Sequence, residues 1–379
     1  MRRLVCEENM CTGCKACIDK CVKDAISIKD DLDSFNAVID ESKCIDCGAC
    51  HKVCPNNTPV ELKKQLSWHQ GWANEKEERE KSSSGGFATV LSKEFIRQNG
   101  VVCSCAFSNG DFMFEIAESE EAVEKFRGSK YVKSNPEGIY KKINELLRTQ
   151  KKVLFIGLPC QVAAVKNFVG KKNEQNLYTV DLICHGTPSV KILENYLSQY
   201  KVNLRKIKDI SFRTKNSFML KNNERPIIDS RIQDRYTMTF LSSLNYTENC
   251  YSCKYATDKR VGDITIGDSW GSGLTEEIEK GISLIMCQTE KGKELLKLIP
   301  FHFEKVNIDE ALKNNHQLRH PAIAPEKRKE FFEGIKKGKK YDAVVAKIYP
   351  KACLKQRIKK ILYSFRGGQY EIYRLTVWK

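Results

Sequence analysis

VLFIGLPCQVAAVKN, residues 153–167, sets the architecture of this chain. An apolar run ends at Gly157, the chain turns through Leu158–Pro159, and Cys160 opens a segment with helical spacing: a strand, a turn and a helix. The same order repeats at once. NLYTVDLIC (residues 176–184) reads as a second strand and Pro188–Tyr200 as a second helix. Strands that are apolar throughout, alternating with helices, predict an α/β (α+β mix) fold with a mainly parallel central sheet covered on both faces.

Further elements extend that sheet. Strands are expected at Ile207–Phe212, Asp263–Ile266 and Ser283–Gln288. Upstream, Phe87–Asn99 has helical spacing and Gly100 as its stop. VVCSCAF (101–107) and FMFEIA (112–117) flank SNGD, whose Asn109-Gly110 pair is a hairpin signal. A helix is expected to start at Asn135-Pro136, with Asn as cap and Pro in the first turn, and to run to about Gln150.

A length of 379 residues allows two or three domains. No stretch approaches the roughly 18 consecutive apolar residues of a membrane span, and the start MRRLVCEENMCTGC lacks the apolar core of a signal peptide. The expected location is therefore cytoplasmic. Seventeen cysteines at ligand-like spacings in a reducing compartment point to metal rather than to disulfides. The net charge of +16 is uneven: residues 327–379 hold sixteen Lys/Arg against four Asp/Glu, so this segment supplies about 12 of the 16 charges.

Residues 1–62 contain a duplication, CTGCKACIDKC (11–21) and CIDCGACHKVCP (44–55). Each half is C-x2-C-x2-C-x3-C, the run of bacterial two-cluster ferredoxins, in which the fourth cysteine reaches the other cluster. This assigns Cys11, Cys14, Cys17 and Cys54 to one [4Fe-4S] cluster and Cys44, Cys47, Cys50 and Cys21 to a second. The small residues Gly13, Ala16, Gly48 and Ala49 let the loops sit close, and AISI (25–28) with FNAVID (35–40) makes a hairpin between the halves. Zinc sites pair two knuckles instead of packing four cysteines twice at this spacing. Val22 stands where proline usually follows the fourth cysteine, and Cys6 falls outside the pattern as a structural residue.

Four later cysteines fall where chemistry is expected. Cys160 and Cys184 follow neighbouring parallel strands, whose carboxyl ends share one edge; Cys250 and Cys253 form C-x2-C. Together they can hold a third [4Fe-4S] cluster. One competing reading makes Cys160 a nucleophile at a helix start with His185 as its base; another leaves each cysteine as buried filling. Cys103, Cys105, Cys287 and Cys353 read as small hydrophobes.

SSSGGF (82–87), RGSKYVKS (127–134), GLPCQVAAVK (157–166), DLICHGTPS (181–189) and C-x2-C followed by GDITIGDSWG (262–271) occur in that order. As an ordered set they resemble the family of coenzyme F-420 hydrogenase/dehydrogenase beta subunits, over about residues 82–300. The resemblance implies an FAD beside an iron–sulfur cluster, with Ser84, Gly85, Gly86, Ser129, Lys130, Tyr131, Pro159, Gln161, Gly267 and Asp268 at the positions that bind it. The chain has neither GxGxxG nor a P-loop. The organisation expected is a ferredoxin-like 2[4Fe-4S] domain (1–62), a linker (63–81), an FAD/iron–sulfur oxidoreductase domain (82–326) and a basic helical tail (327–379).

The function expected is that of an iron–sulfur flavoprotein oxidoreductase passing electrons between [4Fe-4S] clusters and a two-electron partner at FAD: coenzyme F-420, NAD(P)H or a small substrate. The alternative is an electron-transfer subunit serving a separate partner enzyme. No catalytic residue is identifiable. For the tail, Leu354–Phe365 fits a basic amphipathic helix that packs on its own domain or makes peripheral contact with a membrane or an acidic protein; no nucleic-acid module accompanies it.

Overall fold

The computed structural model describes residues 3–228 and 232–365. An eight-stranded sheet forms its centre, in the order β13-β3-β12-β11-β7-β6-β4-β5. The strands are β3 (Ser67–Ala73), β4 (Val101–Ser108), β5 (Asp111–Ala117), β6 (Val153–Gly157), β7 (Leu177–Leu182), β11 (Ile264–Asp268), β12 (Ser283–Cys287) and β13 (Phe301–Glu304). β4, β6, β7 and β11 are parallel neighbours, and antiparallel strands complete both flanks. The fold is the α/β class expected, with five of the eight strands running one way.

Alternation explains why these strands are apolar throughout. Val101, Cys103, Val153 and Phe155 pack on one face with helices Ile139–Arg148 and Pro159–Val169. Val102, Leu154 and Ile156 pack on the other, with helix Phe87–Arg97 and Leu295 of helix Glu290–Leu298. A second core joins helices Val190–Ser198, Arg328–Lys336 and Tyr341–Ile348 with Phe212 and Leu220 of the hairpin formed by β8 (Ile210–Thr214) and β9 (Ser217–Asn222), to which β10 (Arg225–Pro226) is added. The NG hairpin forms between β4 and β5, with Asn109 and Gly110 both at positive φ (52° and 86°).

The duplicated N-terminal unit carries a two-stranded hairpin, β1 (Ile26–Asp30) and β2 (Phe35–Ile39), and packs on helices Ile139–Arg148 and Pro159–Val169 within one continuous core. Polar contacts fix the docking. Asp19 accepts the backbone N–H groups of Gly138 (2.7 Å) and Tyr140 (3.2 Å), Ser189 Oγ donates to Asp30 (2.6 Å), and Lys336 pairs with Asp33 (2.8 Å).

Three boundaries differ from the sequence expectation. Within residues 63–81, the expected linker, Ser67–Ala73 is instead a sheet strand and Lys76–Glu80 a helix. The polarity of that stretch misleads because β3 is paired on both sides and its Gly71 admits the His302 carbonyl where a Cβ would sit at 1.9 Å. The helix expected from Asn135 begins at Ile139, because Asp19 of the N-terminal unit, and not Asn135, accepts its first free N–H groups. The basic segment 327–379 is not all tail. Phe331, Phe332, Tyr341, Val345 and Cys353 are core residues, and helix Pro350–Phe365, anchored at Cys353, extends beyond that core; 366–379 lie outside the described residues.

Candidate metal centres

The two cysteine loops share a backbone. Gly13 and Lys15 in the first, and Asp46 and Gly48 in the second, lie at matching offsets and all have positive φ (68°, 57°, 52° and 69°). That alternation turns successive N–H groups inward, a cradle for negative charge. Gly13 N–H donates to Cys11 Sγ and Asp46 N–H to Cys44 Sγ, each at 3.4 Å. Each loop then enters a short helix, Ala16–Lys20 or Ala49–Val53, which carries the third cysteine and ends at the fourth.

The fourth cysteines cross over. Cys54 lies within electrostatic reach of Cys14 and Cys17, and Cys21 of Cys50, which also faces Cys44. The two sets differ in exposure. Cys11, Cys14, Cys17 and Cys54 are all buried, whereas Cys21, Cys44 and Cys50 are half-buried and Cys47 is exposed. The buried set faces the large domain: Tyr140 donates its hydroxyl to the Cys14 carbonyl at 2.8 Å. Burial pushes the Cys14 thiol up to about 11. Cys6 sits against this set; a hydrogen bond with Cys11, together with burial, raises its thiol to about 11. Ligation of a metal by Cys14 therefore displaces its thiol proton.

Cys160, Cys184, Cys250 and Cys253 line one cavity at the carboxyl edge of β6 and β7. Pro159 takes the first helical position, and Gln161 Oε1 accepts the Leu158 N–H at 2.9 Å, so Cys160 is presented by a capped helix start. Cys184 follows β7. The C-x2-C loop is tied to the same edge by Arg260, whose guanidinium pairs with buried Asp181 (3.0 Å) and donates to the carbonyls of Tyr255 (2.7 Å) and Leu182 (2.9 Å). Asp181 also accepts the N–H groups of Val261 and Gly262. Among the described residues no three His, Cys, Asp or Glu side chains converge on a single-ion site. Four thiols from three segments, spread around one cavity, suit a cluster, which spans more space than one ion.

The nucleophile reading fares poorly. Enclosure raises the Cys160 thiol, against the opposing effect of Lys133, and His185 Nδ1 is engaged by the Gln317 amide. Lys133, which sequence reasoning missed, lines the same cavity and is 7 % exposed. Burial alone would depress its ammonium, but Cys250, Cys160, Cys184 and Cys11 around it raise it.

The residues carried over for FAD divide into two groups. Gln161 and Gly85 are committed to the fold: the Gln161 amide donates to Ser134 Oγ (3.0 Å), and Gly85 N–H donates to Ser283 Oγ (3.1 Å). Gly86, at φ 94°, caps helix Phe87–Arg97, and Pro159 starts its own helix. Ser84, Ser129, Lys130, Tyr131, Gly267 and Asp268 belong to a polar neighbourhood at the C-terminal end of β11. Ser129 N–H donates to Ser83 Oγ (3.0 Å), and Arg213 holds Asp268 with two hydrogen bonds (2.6 and 3.0 Å) and the Ser83 carbonyl with a third. Gly267 lies under Ile183, where a Cβ would meet its Cδ1 at 2.6 Å. Tyr131 stacks on Phe240, with centroids 4.2 Å apart. Lys130 donates to the Phe126 and Arg127 carbonyls and Lys215 to the Ser84 carbonyl, and burial beside Arg79 and Arg213 lowers Lys215 to about 8. Arg213, Lys215 and Lys130 bring positive charge to this neighbourhood, with Arg213 paired to Asp268 and both lysines donating to backbone carbonyls, while Tyr131 and Phe240 stack on each other.

Comparison with known proteins adds three kinds of match. Residues 68–137 and 150–302 match the two family models of the coenzyme F420 hydrogenase/dehydrogenase beta subunit, the first for its N-terminal part and the second for its C terminus. Residues 10–58 match the model described as "4Fe-4S dicluster domain". The chain is 24% identical over 309 residues to a subunit of the F(420)H(2) dehydrogenase of Methanosarcina mazei, covering 76% of this chain and 85% of that one. It is 41% identical over 61 residues to a subunit of the ion-translocating oxidoreductase complex of Methanosarcina acetivorans, covering 16% of this chain and 21% of that one. A chain from the F420-reducing [NiFe] hydrogenase complex of Methanosarcina barkeri, solved after xenon derivatization, aligns at 19% identity with a TM-score of 0.47, over 70% of this chain and 97% of that one.

Proposed function

Because the chain belongs to the family of coenzyme F-420 hydrogenase/dehydrogenase beta subunits and carries a 4Fe-4S dicluster domain ahead of the family region, we propose that it is an iron–sulfur flavoprotein oxidoreductase. In this reading it passes electrons between [4Fe-4S] clusters and a two-electron donor or acceptor at FAD. The observation that supports it most is the gathering of four thiols from three segments beside the buried half of the dicluster domain. Cys11, Cys14, Cys17 and Cys54 hold one cluster, Cys44, Cys47, Cys50 and Cys21 the second, and Cys160, Cys184, Cys250 and Cys253 a third. The half with exposed Cys47 is the side that meets a redox partner, and the buried half keeps water from the path inward.

FAD, when bound, supplies the conversion between hydride and single-electron chemistry. Arg213, Lys215 and Lys130 offer positive charge to its phosphates, Ser84 and Ser129 offer polar contacts, and Tyr131 with Phe240 forms an aromatic wall. The exchanging partner is coenzyme F-420, NAD(P)H or a small substrate. A second reading, an electron-transfer subunit delivering to a separate partner enzyme, is favoured by the relative that is itself a subunit of F(420)H(2) dehydrogenase. Turnover of candidate substrates by the isolated protein with a reduced dye separates the two, and absence of turnover selects the second. Anaerobically purified protein is expected to contain about twelve iron atoms and one flavin per chain. No flavin after reconstitution sinks the flavoprotein reading.

All seventeen cysteines are free, which suits the reducing cytoplasm. Among the described residues no helix is long and apolar enough to cross a membrane, yet helix Pro350–Phe365 exposes Leu354, Ile358 and Ile361 beside Lys351, Lys355 and Lys359. This arrangement suits peripheral contact with an anionic bilayer. The chain is expected to cosediment with anionic liposomes at low salt and to lose that binding when truncated after Tyr349. Equal binding by the truncated protein refutes the contact.

A further inference from the structure

Lys133 places a buried ammonium against the four-thiol cavity. Val132 and Ser134 on either side of this lysine are buried, and its backbone N–H is held by the Pro188 carbonyl at 2.9 Å. The side chain runs against the first cysteine loop: a Cβ on Gly13 would lie 3.5 Å from Lys133 Cδ. Its ammonium stands 5.9 Å from the ring centroid of Phe35, in the dicluster hairpin, and lines the four-thiol cavity. The groups facing it are the thiols of Cys250, Cys160, Cys184 and Cys11. Among the described residues no carboxylate forms an ion pair with it within 4.0 Å.

An ammonium removed from water with no anion beside it is strongly disfavoured. The site is therefore built for negative charge that arrives with a bound group, and thiolates on an iron–sulfur cluster supply it. Such a cluster gains one more negative charge on reduction, so a fixed cation in the low-dielectric cavity favours the reduced form.

We propose that Lys133 is the fixed countercharge of the centre formed by Cys160, Cys184, Cys250 and Cys253, a positioning residue that raises its reduction potential and, by its contact with the Cys11 loop, sets the step from the buried dicluster half. The proposal rests on the third cluster of the preceding reading. Its failure is distinguishable, because about eight irons per wild-type chain refute that reading before any variant is compared.

The test is the full-length, anaerobically reconstituted chain, titrated against dithionite with the reduced clusters followed by electron paramagnetic resonance. Lys133→Gln is expected to keep about twelve irons and to shift one cluster's reduction equilibrium at least tenfold toward the oxidised form, about 59 mV for one electron. Lys133→Arg is expected to retain the wild-type potential. An unshifted Lys133→Gln, or an equal shift in both variants, overturns the proposal. If Lys133→Gln loses about four irons, retention of them by Lys133→Arg supports the charge requirement, and their loss from both variants overturns it.

Discussion

Replacing Cys160 with serine is expected to lower the iron of the anaerobically purified chain from about twelve atoms to about eight, with the flavin retained. Four thiolates hold a [4Fe-4S] cluster, and a hydroxyl is a harder, poorer ligand for it than a thiolate. Cys160 also sits at a helix start that does not depend on its side chain: Gln161 caps Leu158, and Pro159 sets the first turn. Loss of cluster is thus expected without loss of the surrounding helix, which circular dichroism checks. The dicluster signals should persist, because Cys11, Cys14, Cys17 and Cys54 come from other elements. A variant that keeps all its iron and loses only turnover makes Cys160 a nucleophile and removes the third cluster from the proposal.

Arg260→Met is expected to destabilise the large domain by about 3–5 kcal/mol, because it strands the carboxylate of Asp181 inside the protein. Arg260 is 2 % and Asp181 0 % exposed at the side chain, so solvent offers the carboxylate nothing in exchange. The backbone N–H groups of Val261 and Gly262 remain on Asp181 but are neutral, while the carbonyls of Tyr255, Thr257 and Leu182 lose their donor. These carbonyls flank Cys253 and Cys184, so iron retention should fall along with the denaturation midpoint. The double variant Asp181→Asn/Arg260→Met should recover part of the stability, since no isolated charge remains. A single variant as stable as the wild type shows that water reaches Asp181 and that the clamp is not structural.

Much of the architecture was legible because its signals are local. The C-x2-C-x2-C run at Cys11–Cys17 and at Cys44–Cys50 needs no tertiary information, since its three thiols come from one turn and the start of a short helix, whereas Cys21 and Cys54 reach across to the other run. VLFIG and NLYTVDLIC are legible as buried strands because both faces of the sheet are covered, which leaves no polar alternation. The NG turn between β4 and β5 is legible for the same kind of reason: Asn109 and Gly110 take the positive φ values the turn requires.

The misread stretches depend on partners distant in sequence. WHQGWAN, despite Trp68 and Trp72, looks like a linker because the polar, charged stretch that follows it masks its strand, but β12 and β13, more than 200 residues later, saturate its backbone. The helix after Asn135 starts late because its capping carboxylate, Asp19, belongs to another domain. Residues 328–348 look like basic tail because lysines dominate the count, whereas burial follows the aromatic face of Phe331, Phe332 and Tyr341.

The sequence by itself determined the two four-cysteine runs and the apolar strands of a mainly parallel sheet, since both follow from short-range spacing and hydrophobic pattern. Only the tertiary structure decided what surrounds Cys160. Lys133, Arg260 and Arg213 are ordinary basic residues in the sequence, and Asp181 is one polar residue within an apolar strand. Their meaning comes from burial: a charge taken out of water acts on whatever faces it, and what faces it is set by the whole fold.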